Sequence, residues 1–405
     1  MTSGDGGSRR LLRRLLAVLT VLVVLAVVLF GAAAWYFAGQ INSDGLVADH
    51  TADPRRYDLV VDDFSGGQVV LRATGDGDAR LDSAYEYGLV WPDGAGVLTG
   101  APAPQDDGGV RRALQVTTGT PPIAGTKADL DTGVWADPTA AYGVPYDEVS
   151  FPCAGGTCPA WYVPGESSTW LVMVHGKGAS RTEPLRTLGA GLREHLPALL
   201  ITYRNDPEAP ADPSGRYGYG ATEWHDLEAA VGFATEHGAR RIVLFGSSMG
   251  GAIVASFLEH SRSAALVSGV VLDAPALDFG AAVKEGAAHR TLPVLGTPIP
   301  DALTAAAQWV AGWRYGVDWA AIDYLPGDWL HVPALVFHGT ADDTVPIATS
   351  DELRRTFPHL VTEVRVPGAG HVEAWNADPA AYTGRVSAFL RCLTAASSAG
   401  CGPAA

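Results

Sequence analysis

Ser248 is the residue whose surroundings in this 405-residue sequence most clearly predict a chemical role. It is the central serine of the G-x-S-x-G pattern Gly246-Ser247-Ser248-Met249-Gly250, which lies between an apolar run typical of a buried strand and one typical of a helix. Glycines two residues before and after the serine relieve crowding in so tight a turn. We expect the turn to strain Ser248 and expose its hydroxyl as a nucleophile; a glycine-rich turn without a chemical role is the alternative.

A base and an acid for this serine follow in the C-terminal third of the sequence. A serine hydroxyl is a weak nucleophile until a base takes its proton, and the base needs an acid that orients it. Asp342 follows one predicted strand and His371 follows the next, which gives the chain order serine, aspartate, histidine. Asp343 is expected to face away from the histidine.

Three stretches together resemble the esterase-like serine hydrolases of the α/β-hydrolase superfamily. They are the turn at Ser248, the sequence HGTADDTVP that contains Asp342, and the sequence AGH that ends at His371. The resemblance covers about residues 146–394, and it implies that Ser248 is the nucleophile, His371 the base and Asp342 the acid. Asp273 occupies a position that some hydrolases use for the acid, so it stays an alternative; turn capping is its structural explanation.

The resemblance also implies an oxyanion hole. The sequence HGKG, which includes Lys177, follows an apolar run typical of a strand, and the superfamily places one hydrogen-bond donor on this loop. The two donors would be the main-chain N–H groups of Lys177 and Met249. Lysine departs from the glycine or asparagine often found there, which leaves the backbone donor intact and adds a side chain at the rim of the site. Other substrate-binding residues are not assigned.

The resemblance implies a serine hydrolase that cleaves carboxylic esters through an acyl-enzyme, with a small-molecule ester or other acyl compound as its substrate. The same three side chains can cleave amides or thioesters, so a peptidase or a thioesterase is an alternative. A hydrolase fold retained as a non-catalytic binding module is another. The sequence contains no HExxH motif and no other ligand-type spacing, so neither a metal nor a cofactor is expected.

From about residue 146 the sequence alternates between apolar, β-rich runs and helical stretches, which predicts an α/β fold with a doubly wound, mostly parallel sheet. By resemblance the sheet is of α/β-hydrolase type and covers 146–394, with a helical cap inserted at about 277–330. Aromatic residues in the cap either line an acyl pocket or fix the cap to the sheet. These residues are Trp309, Trp313, Tyr315, Trp319, Tyr324 and Trp329.

A small antiparallel β module and a linker are expected in 42–145. Short stretches of alternating polar and apolar residues there are separated by turn clusters, such as SGG at 65–67 and DGG at 107–109. The region is too short for a β-propeller, which needs at least four blades of about 40 to 50 residues. Its expected role is a structural spacer that packs on the hydrolase sheet.

A membrane-spanning signal-anchor is predicted at 15–38, where only Thr20 and Gly31 interrupt apolar side chains. At 1.5 Å per residue this transmembrane run is about 36 Å long, enough to cross a bilayer. Arginines crowd its N-terminal side and aromatic residues close the other, so residues 1–14 are expected in the cytoplasm and the rest of this single-pass chain outside the cell membrane. The alternative is a cleaved signal peptide, since residues 32–34 are alanines.

The chain is acidic, with a net charge of −16 from 28 Lys and Arg against 44 Asp and Glu. An acidic surface repels a phosphate backbone. No nucleic-acid partner is therefore expected, and protein partners are not assigned.

All four cysteines follow the predicted anchor, which fits disulfide bonds in an oxidising compartment. Cys153 with Cys158 would pin a hairpin, and Cys392 with Cys401 would tie down the tail, 395–405. Four cysteines allow three connectivities, and the sequence does not choose among them. Their spacings do not match zinc-binding pairs.

Overall fold

The computed structural model describes residues 5–48, 57–74, 79–293, 296–395 and 401–402. Most of the expected tail, 395–405, lies outside the described residues, as do residues 49–56 and 75–78 of the expected β module. The chain divides into two compact units. The first comprises Met1–Val47 and Val283–Ala320, and the second comprises Ala48–Ala282 and Ala321–Ala405.

Ten α-helices occur in the described residues. They are α1 (Asp5–Gln40), α2 (Pro138–Tyr142), α3 (Leu185–Arg193), α4 (Trp224–Glu236), α5 (Met249–His260), α6 (Phe279–Ala288), α7 (Asp301–Tyr315), α8 (Ala348–Thr356), α9 (Ala374–Ala377) and α10 (Pro379–Thr394). A π-helical stretch, Ile41–Leu46, continues α1.

Fourteen β-strands occur in the same residues. They are β1 (Leu59–Ser65), β2 (Gln68–Ala73), β3 (Tyr87–Trp91), β4 (Gly94–Pro104), β5 (Val110–Gly119), β6 (Lys127–Asp131), β7 (Asp147–Cys153), β8 (Gly156–Val163), β9 (Thr169–Val174), β10 (Ala198–Ile201), β11 (Arg241–Ser247), β12 (Val267–Asp273), β13 (Ala334–Gly339) and β14 (Val361–Val366).

Strands β1 to β6 close into a barrel in the order β1-β2-β5-β4-β3-β6. Every neighbouring pair is antiparallel, and the pairing of β1 with β6, with Leu59 opposite Ala128, completes the closure. Alternate side chains point into the barrel, because successive residues of a strand face opposite sides. Leu59, Val61, Leu71 and Leu89 are among those that form its core. This closed barrel lies where the sequence predicts a small β module.

Strands β7 to β14 form one sheet in the order β14-β13-β12-β11-β9-β10-β8-β7. Strands β9 to β14 pair in parallel, whereas β8 pairs antiparallel with both β10 and β7. All six residues of β9 are buried. A parallel sheet covered on both faces needs such continuous apolar strands, which is why the sequence identifies them. The predicted α/β fold with a mostly parallel sheet is confirmed.

Helices cover the faces of this sheet, and the loops that bear the candidate catalytic residues lie at the carboxyl ends of its parallel strands. Helices α3 and α10 pack together with one set of strand side chains, including Leu171 and Met173 of β9. Helix α5 follows β11 directly and packs with α4. The carboxyl ends of the parallel strands meet at one edge of the sheet, where folds of this kind bind ligands. The loops after β9, β11, β13 and β14 all start there.

Both local cysteine pairs form disulfide bonds. Cys153 and Cys158 join β7 to β8 across their hairpin, with a sulfur to sulfur distance of 2.13 Å. Cys392 of α10 joins Cys401 at 2.01 Å. The structure therefore selects the local connectivity from the three that the sequence allows, and it leaves no free cysteine among the described residues.

Helix α1 and its π-helical continuation form a candidate membrane span by length and composition. Within the stretch Leu11–Leu46, an 18-residue window has a mean hydropathy of 3.1. A signal sequence would meet the same two criteria. The large apolar side chains between residues 11 and 30 are exposed. The anchor therefore stays a proposal.

The segment expected to form a cap, 277–330, contains α6 and α7. Its residues 283–320 group with α1 in the first compact unit, and the cap itself stays a prediction. The aromatic residues of the segment lie in different environments. Trp309 and Trp313 are exposed, whereas Tyr324 and Trp329 are buried, and the Trp329 indole donates a hydrogen bond to the main-chain oxygen of Tyr324 at 2.7 Å.

Candidate active site

Ser248 lies on a sharp turn between β11 and α5. Its φ of 49° and ψ of −121° are a conformation that L-residues rarely adopt, and such strain is characteristic of functional turns. The glycines around it are needed for space. A Cβ atom at Gly250 would lie 2.4 Å from the main-chain oxygen of Val174, and one at Gly246 would lie 2.6 Å from that of Gly250. The half-buried Ser248 side chain therefore lies on a turn that has space only for glycine at positions 246 and 250.

His371 lies between Ser248 and Asp342. Its Nε2 is 2.8 Å from the Ser248 Oγ, and its Nδ1 is 2.8 Å from the Asp342 Oδ2. A carboxylate can only accept a hydrogen bond, so Nδ1 carries the proton and Nε2 accepts from the Ser248 hydroxyl. The three side chains named as nucleophile, base and acid from the sequence are therefore brought together.

The Asp342 side chain is fully buried, and hydrogen bonds keep it ionised. Burial by itself would raise the pKa of this carboxyl, but hydrogen bonds from His338 and His371 outweigh burial and hold its pKa well below the usual range. The N–H groups of Thr344 and Val345 each donate to its Oδ1 at 2.9 Å. Asp342 is thus a fixed negative charge beside the imidazole of His371.

The loop after β9 approaches Ser248 closely. A Cβ atom at Gly176 would lie 2.9 Å from the Ser248 Cβ, so glycine is required there. Lys177 follows in this loop and is half-buried, while Met249 is buried as the first residue of α5. The N–H of a first helical residue has no acceptor within its helix. Both predicted oxyanion residues therefore belong to segments that flank the nucleophile.

The Glu183 carboxylate helps to hold this loop in place, a role that the sequence does not predict. Its Oε2 accepts a hydrogen bond from the Gly176 N–H at 2.8 Å and another from the hydroxyl of Ser247. The carboxylate therefore joins the glycine loop to the residue that precedes the nucleophile. No motif indicates this contact, because Glu183 and Ser247 are 64 positions apart in the chain.

Glu373 fixes the histidine loop in a similar way, and sequence reasoning missed it too. Its Oε2 accepts from the Gly370 N–H at 2.9 Å, and its Oε1 accepts from the hydroxyl of Tyr87 in β3 at 3.0 Å. Arg186 of α3 also holds this loop, donating to the main-chain oxygen of Val372 at 2.6 Å. The barrel and the sheet thus share contacts next to His371.

A buried histidine lies just before the glycine loop. His175 Nε2 is 2.9 Å from the Asp206 Oδ2, and its ring stacks on Tyr203. Burial lowers the pKa of His175, but the Asp206 carboxylate outweighs burial and raises it. This pair holds the start of the loop at the end of β9.

Asp273, the alternative acid, is placed differently from Asp342. Its main-chain oxygen accepts from the Ser248 N–H at 2.9 Å, and its carboxylate interacts with the hydroxyl of Tyr382. Burial raises the pKa of this carboxyl to about 6. Among the hydrogen bonds of the described residues, His371 is paired with Asp342 and not with Asp273. Asp343 is exposed, as expected for a residue that faces away.

His338 contacts the acid. It is buried at the end of β13, with Nε2 at 2.9 Å from the main-chain oxygen of Val345 and 3.3 Å from the Asp342 Oδ2. Its Nδ1 lies 2.7 Å from the hydroxyl of Ser350. His338 therefore helps to fix the Asp342 carboxylate. In the part of the chain that the structure describes, no group of three or more His, Cys, Asp or Glu side chains could hold a metal ion.

The sheet order and the strained serine after β11 define the class: the chain has an α/β-hydrolase fold. A family model described as serine aminopeptidase, S33, matches residues 223–325. The match includes Ser248 but ends before Asp342. No curated protein matches the chain.

Solved structures of esterases are similar to the chain. An esterase from Pyrococcus furiosus is 19% identical, with 63% of this chain and 94% of that chain covered and a TM-score of 0.51. A hyperthermophilic esterase from Pyrobaculum calidifontis is also 19% identical, over 63% and 88% of the two chains, with a TM-score of 0.45. The first of these likenesses shows the fold. With the family model, the resemblance to esterase-like serine hydrolases is confirmed, and a serine hydrolase is supported.

Proposed function

We propose that the chain is a membrane-anchored, extracytoplasmic serine hydrolase that cleaves carboxylic esters through Ser248, His371 and Asp342. The observation that carries this proposal is the position of His371, with one ring nitrogen 2.8 Å from the serine hydroxyl and the other 2.8 Å from the carboxylate. An imidazole held in this way can take a proton from the serine and keep the resulting positive charge stable. The likeness to a protein described as an esterase favours an ester substrate.

In the first half of the reaction, His371 Nε2 takes the Ser248 proton while Oγ attacks the carbonyl carbon of the ester. The carbonyl oxygen becomes an oxyanion, which accepts hydrogen bonds from the N–H groups of Lys177 and Met249. The bond to the alcohol then breaks, and the His371 imidazolium gives its proton to the departing oxygen. The acyl group remains on Ser248.

In the second half, His371 takes a proton from water, and the hydroxide oxygen attacks the acyl carbon. The Ser248 oxygen leaves as the bond to the acyl group breaks, and it recovers a proton from the imidazolium. The products are one carboxylic acid and one alcohol for each ester and water consumed. Asp342 remains ionised throughout and stabilises the charged imidazole.

The location of the enzyme is proposed on two features. Helix α1 is apolar enough to span a bilayer, and arginines precede its apolar stretch, which favours a cytoplasmic N-terminus. The two disulfide bonds favour an oxidising compartment for the residues after α1. These features support a single-pass anchor with the hydrolase outside the cytoplasm.

Covalent labelling of the full chain by a fluorophosphonate, with the labelled peptide identified by mass spectrometry, tests the nucleophile. We expect label on Ser248 and its loss in Ser248→Ala, because an activated hydroxyl attacks phosphorus as it attacks a carbonyl. His371→Ala should lose the label as well. His237→Ala is the matched control, because His237 is an exposed histidine at the end of α4, and it should label like the wild type.

Folded protein that takes no label at Ser248, or equal labelling of His371→Ala and wild type, would contradict this mechanism. The first result would favour a non-catalytic binding module. The circular dichroism spectrum of each variant establishes that it is folded.

A second candidate is amide cleavage, which the family model described as a serine aminopeptidase favours. The same three side chains can attack an amide carbonyl. Turnover of p-nitrophenyl esters, acyl-thioesters and aminoacyl-anilides by the unlabelled wild-type protein separates the candidates. An ester hydrolase would cleave the first group with the highest kcat/KM, and a peptidase would prefer the anilides.

A further inference from the structure

Helix α7 packs on the C-terminal part of α1 within the first compact unit. Ala34 of α1 is buried in a cluster with Ile299 and Leu303. The Trp35 ring lies 6.1 Å from the Trp313 ring between centroids. The guanidinium of Arg314 lies over the Trp35 ring at 4.1 Å. Helix α7 is therefore fixed beside the end of the apolar stretch at which the chain would leave a membrane.

An exposed apolar stripe runs along α7 beside the face that packs on α1. Its residues are Ala302, Ala305, Trp309 and Trp313, with spacings of three, four and four that place them on one face of the helix. The side chains of Trp309 and Trp313 are 72% and 71% exposed. Exposing two tryptophans to water is unfavourable, so this stripe indicates a binding site for an apolar partner.

The neighbouring apolar surface on α1 indicates what that partner is. Large apolar side chains of α1 are exposed from Leu11 to Phe30, and Trp35 and Tyr36 continue this surface up to the part of α1 that α7 contacts. Beyond the helix end, Asp44 pairs with Arg290 at 3.0 Å between side chains, which marks the start of a polar environment. Tryptophan rings favour this boundary between hydrocarbon and water.

We propose that the exposed stripe of α7 (Ala302, Ala305, Trp309 and Trp313) binds the lipid surface next to the membrane span. The indole rings of Trp309 and Trp313 lie at the level of the lipid headgroups, with their apolar faces against the upper acyl chains. This inference rests on the proposed membrane anchor, but it adds a second lipid contact that belongs to the segment between β12 and β13. That segment is thereby held at the bilayer surface.

The test places a fluorophore at single introduced cysteines of the full chain. All four native cysteines are paired, so a new cysteine is the one reactive thiol under non-reducing conditions. Trp309→Cys and Trp313→Cys are labelled with nitrobenzoxadiazole and reconstituted into phosphatidylcholine and phosphatidylglycerol vesicles, with or without doxyl-labelled lipid. Leu25→Cys in α1 reports on the span, and Ile123→Cys is a matched control at an apolar side chain of the barrel region that is 74% exposed.

We expect doxyl lipids to quench the fluorophore at positions 309 and 313, and also at 25, while the fluorophore at 123 keeps its intensity. Quenching at 25 without quenching at 309 and 313 would overturn the lipid contact of α7 and leave the anchor standing. No quenching at 25 would overturn the anchor and the inference together. Both tryptophans are exposed, so their replacement should leave the fold intact, which the native ester turnover of each variant verifies.

Discussion

At the residue scale, two adjacent carboxylates allow a direct test of which residue is the acid that orients His371. Asp342 is buried and contacts His371, whereas Asp343 is exposed. We expect Asp342→Asn to lower kcat/KM for an ester by about 10,000-fold, because an amide no longer holds the imidazole in the reactive tautomer. Asp343→Asn should keep the wild-type rate. Initial rates with a p-nitrophenyl ester measure both, and equal rates for the two variants would show that the acid lies elsewhere.

The same carboxylate predicts a pH dependence of stability. The folded-state pKa of Asp342 lies below its ordinary value of 3.8, so its ionised form stabilises the fold above about pH 4, and this contribution is lost as the pH falls further. The Asp342→Asn variant has no carboxyl group at this position, so it lacks this pH dependence. Thermal unfolding in detergent between pH 6 and about pH 3 should therefore show a steeper acid loss of Tm for the wild type than for the variant. Parallel curves would mean that the Asp342 pKa is not lowered by folding.

For Asp273, the predicted pH dependence of stability has the opposite sign. Burial raises its pKa to about 6 from 3.8, so its favourable contribution is present below about pH 4 and is lost as the pH rises through 6. Asp273→Asn stays neutral. Between pH 4 and pH 8 the stability of the variant relative to the wild type should therefore rise by roughly 3 kcal/mol, since one pKa unit corresponds to about 1.4 kcal/mol.

Thermal unfolding of the Asp273→Asn variant and the wild type at pH 4 and pH 8 measures this difference. A difference that does not grow with pH would contradict the raised pKa. The variant should also keep most of its ester turnover. A loss as large as that of Asp342→Asn would instead identify Asp273 as the acid.

At the element scale, strand β3 of the barrel supports the histidine loop through one side chain. The Tyr87 hydroxyl donates to Glu373, which in turn accepts from the Gly370 N–H beside His371. Tyr87→Phe leaves a buried carboxylate oxygen without its donor, at a cost of about 1 to 3 kcal/mol. We expect kcat to fall roughly tenfold with little change in KM, because the base is less well positioned.

Tyr85→Phe is the matched control for this contact. The Tyr85 hydroxyl makes one long hydrogen bond, 3.4 Å to the main-chain oxygen of Pro367, so its removal should change neither kcat nor Tm appreciably. Steady-state ester kinetics and thermal unfolding compare the two variants. A Tyr87→Phe variant with the wild-type kcat would mean that the barrel does not position the histidine loop.

The elements that the sequence predicts are those with local signals. The parallel strands are continuous apolar runs, and the residues Ser248, Asp342 and His371 stand in short motifs. Strand β6, with the sequence KADLD, escapes prediction because only Ala128 and Leu130 of its five residues are buried. Closure of the barrel depends on its pairing with β1, between residues far apart in the chain.

The supporting residues of the site escape prediction for the same reason. Glu373 and Tyr87 are 286 positions apart, and nothing near either residue in the sequence indicates that they meet. The residues that react occur in local sequence motifs. The residues that position them are distant in sequence, and the fold determines which of them come together. Contacts of this kind require the three-dimensional structure.

At the scale of the whole molecule, the sequence leaves open whether α1 is retained or removed as a signal peptide. The first compact unit bears on this choice, because Ala34 and Phe37 of α1 pack with Ile299 and Leu303 in one apolar cluster. Cleavage after the alanines at 32–34 would remove Ala34 from this cluster. It would also separate the apolar stretch from the segment that α7 belongs to.

We therefore predict that the mature protein keeps α1, because its removal would uncover the apolar face of α7, at an unfavourable free energy of roughly 25 cal/mol for each Å² exposed. The intact mass of protein extracted from membranes with detergent should correspond to the full chain of 42.2 kDa. The protein should also resist extraction by alkaline carbonate, as an integral membrane protein does. A mature N-terminus just after residue 34, with release into the soluble fraction, would contradict both retention and the anchor. The lipid contact of α7 would then lose the span on which it depends.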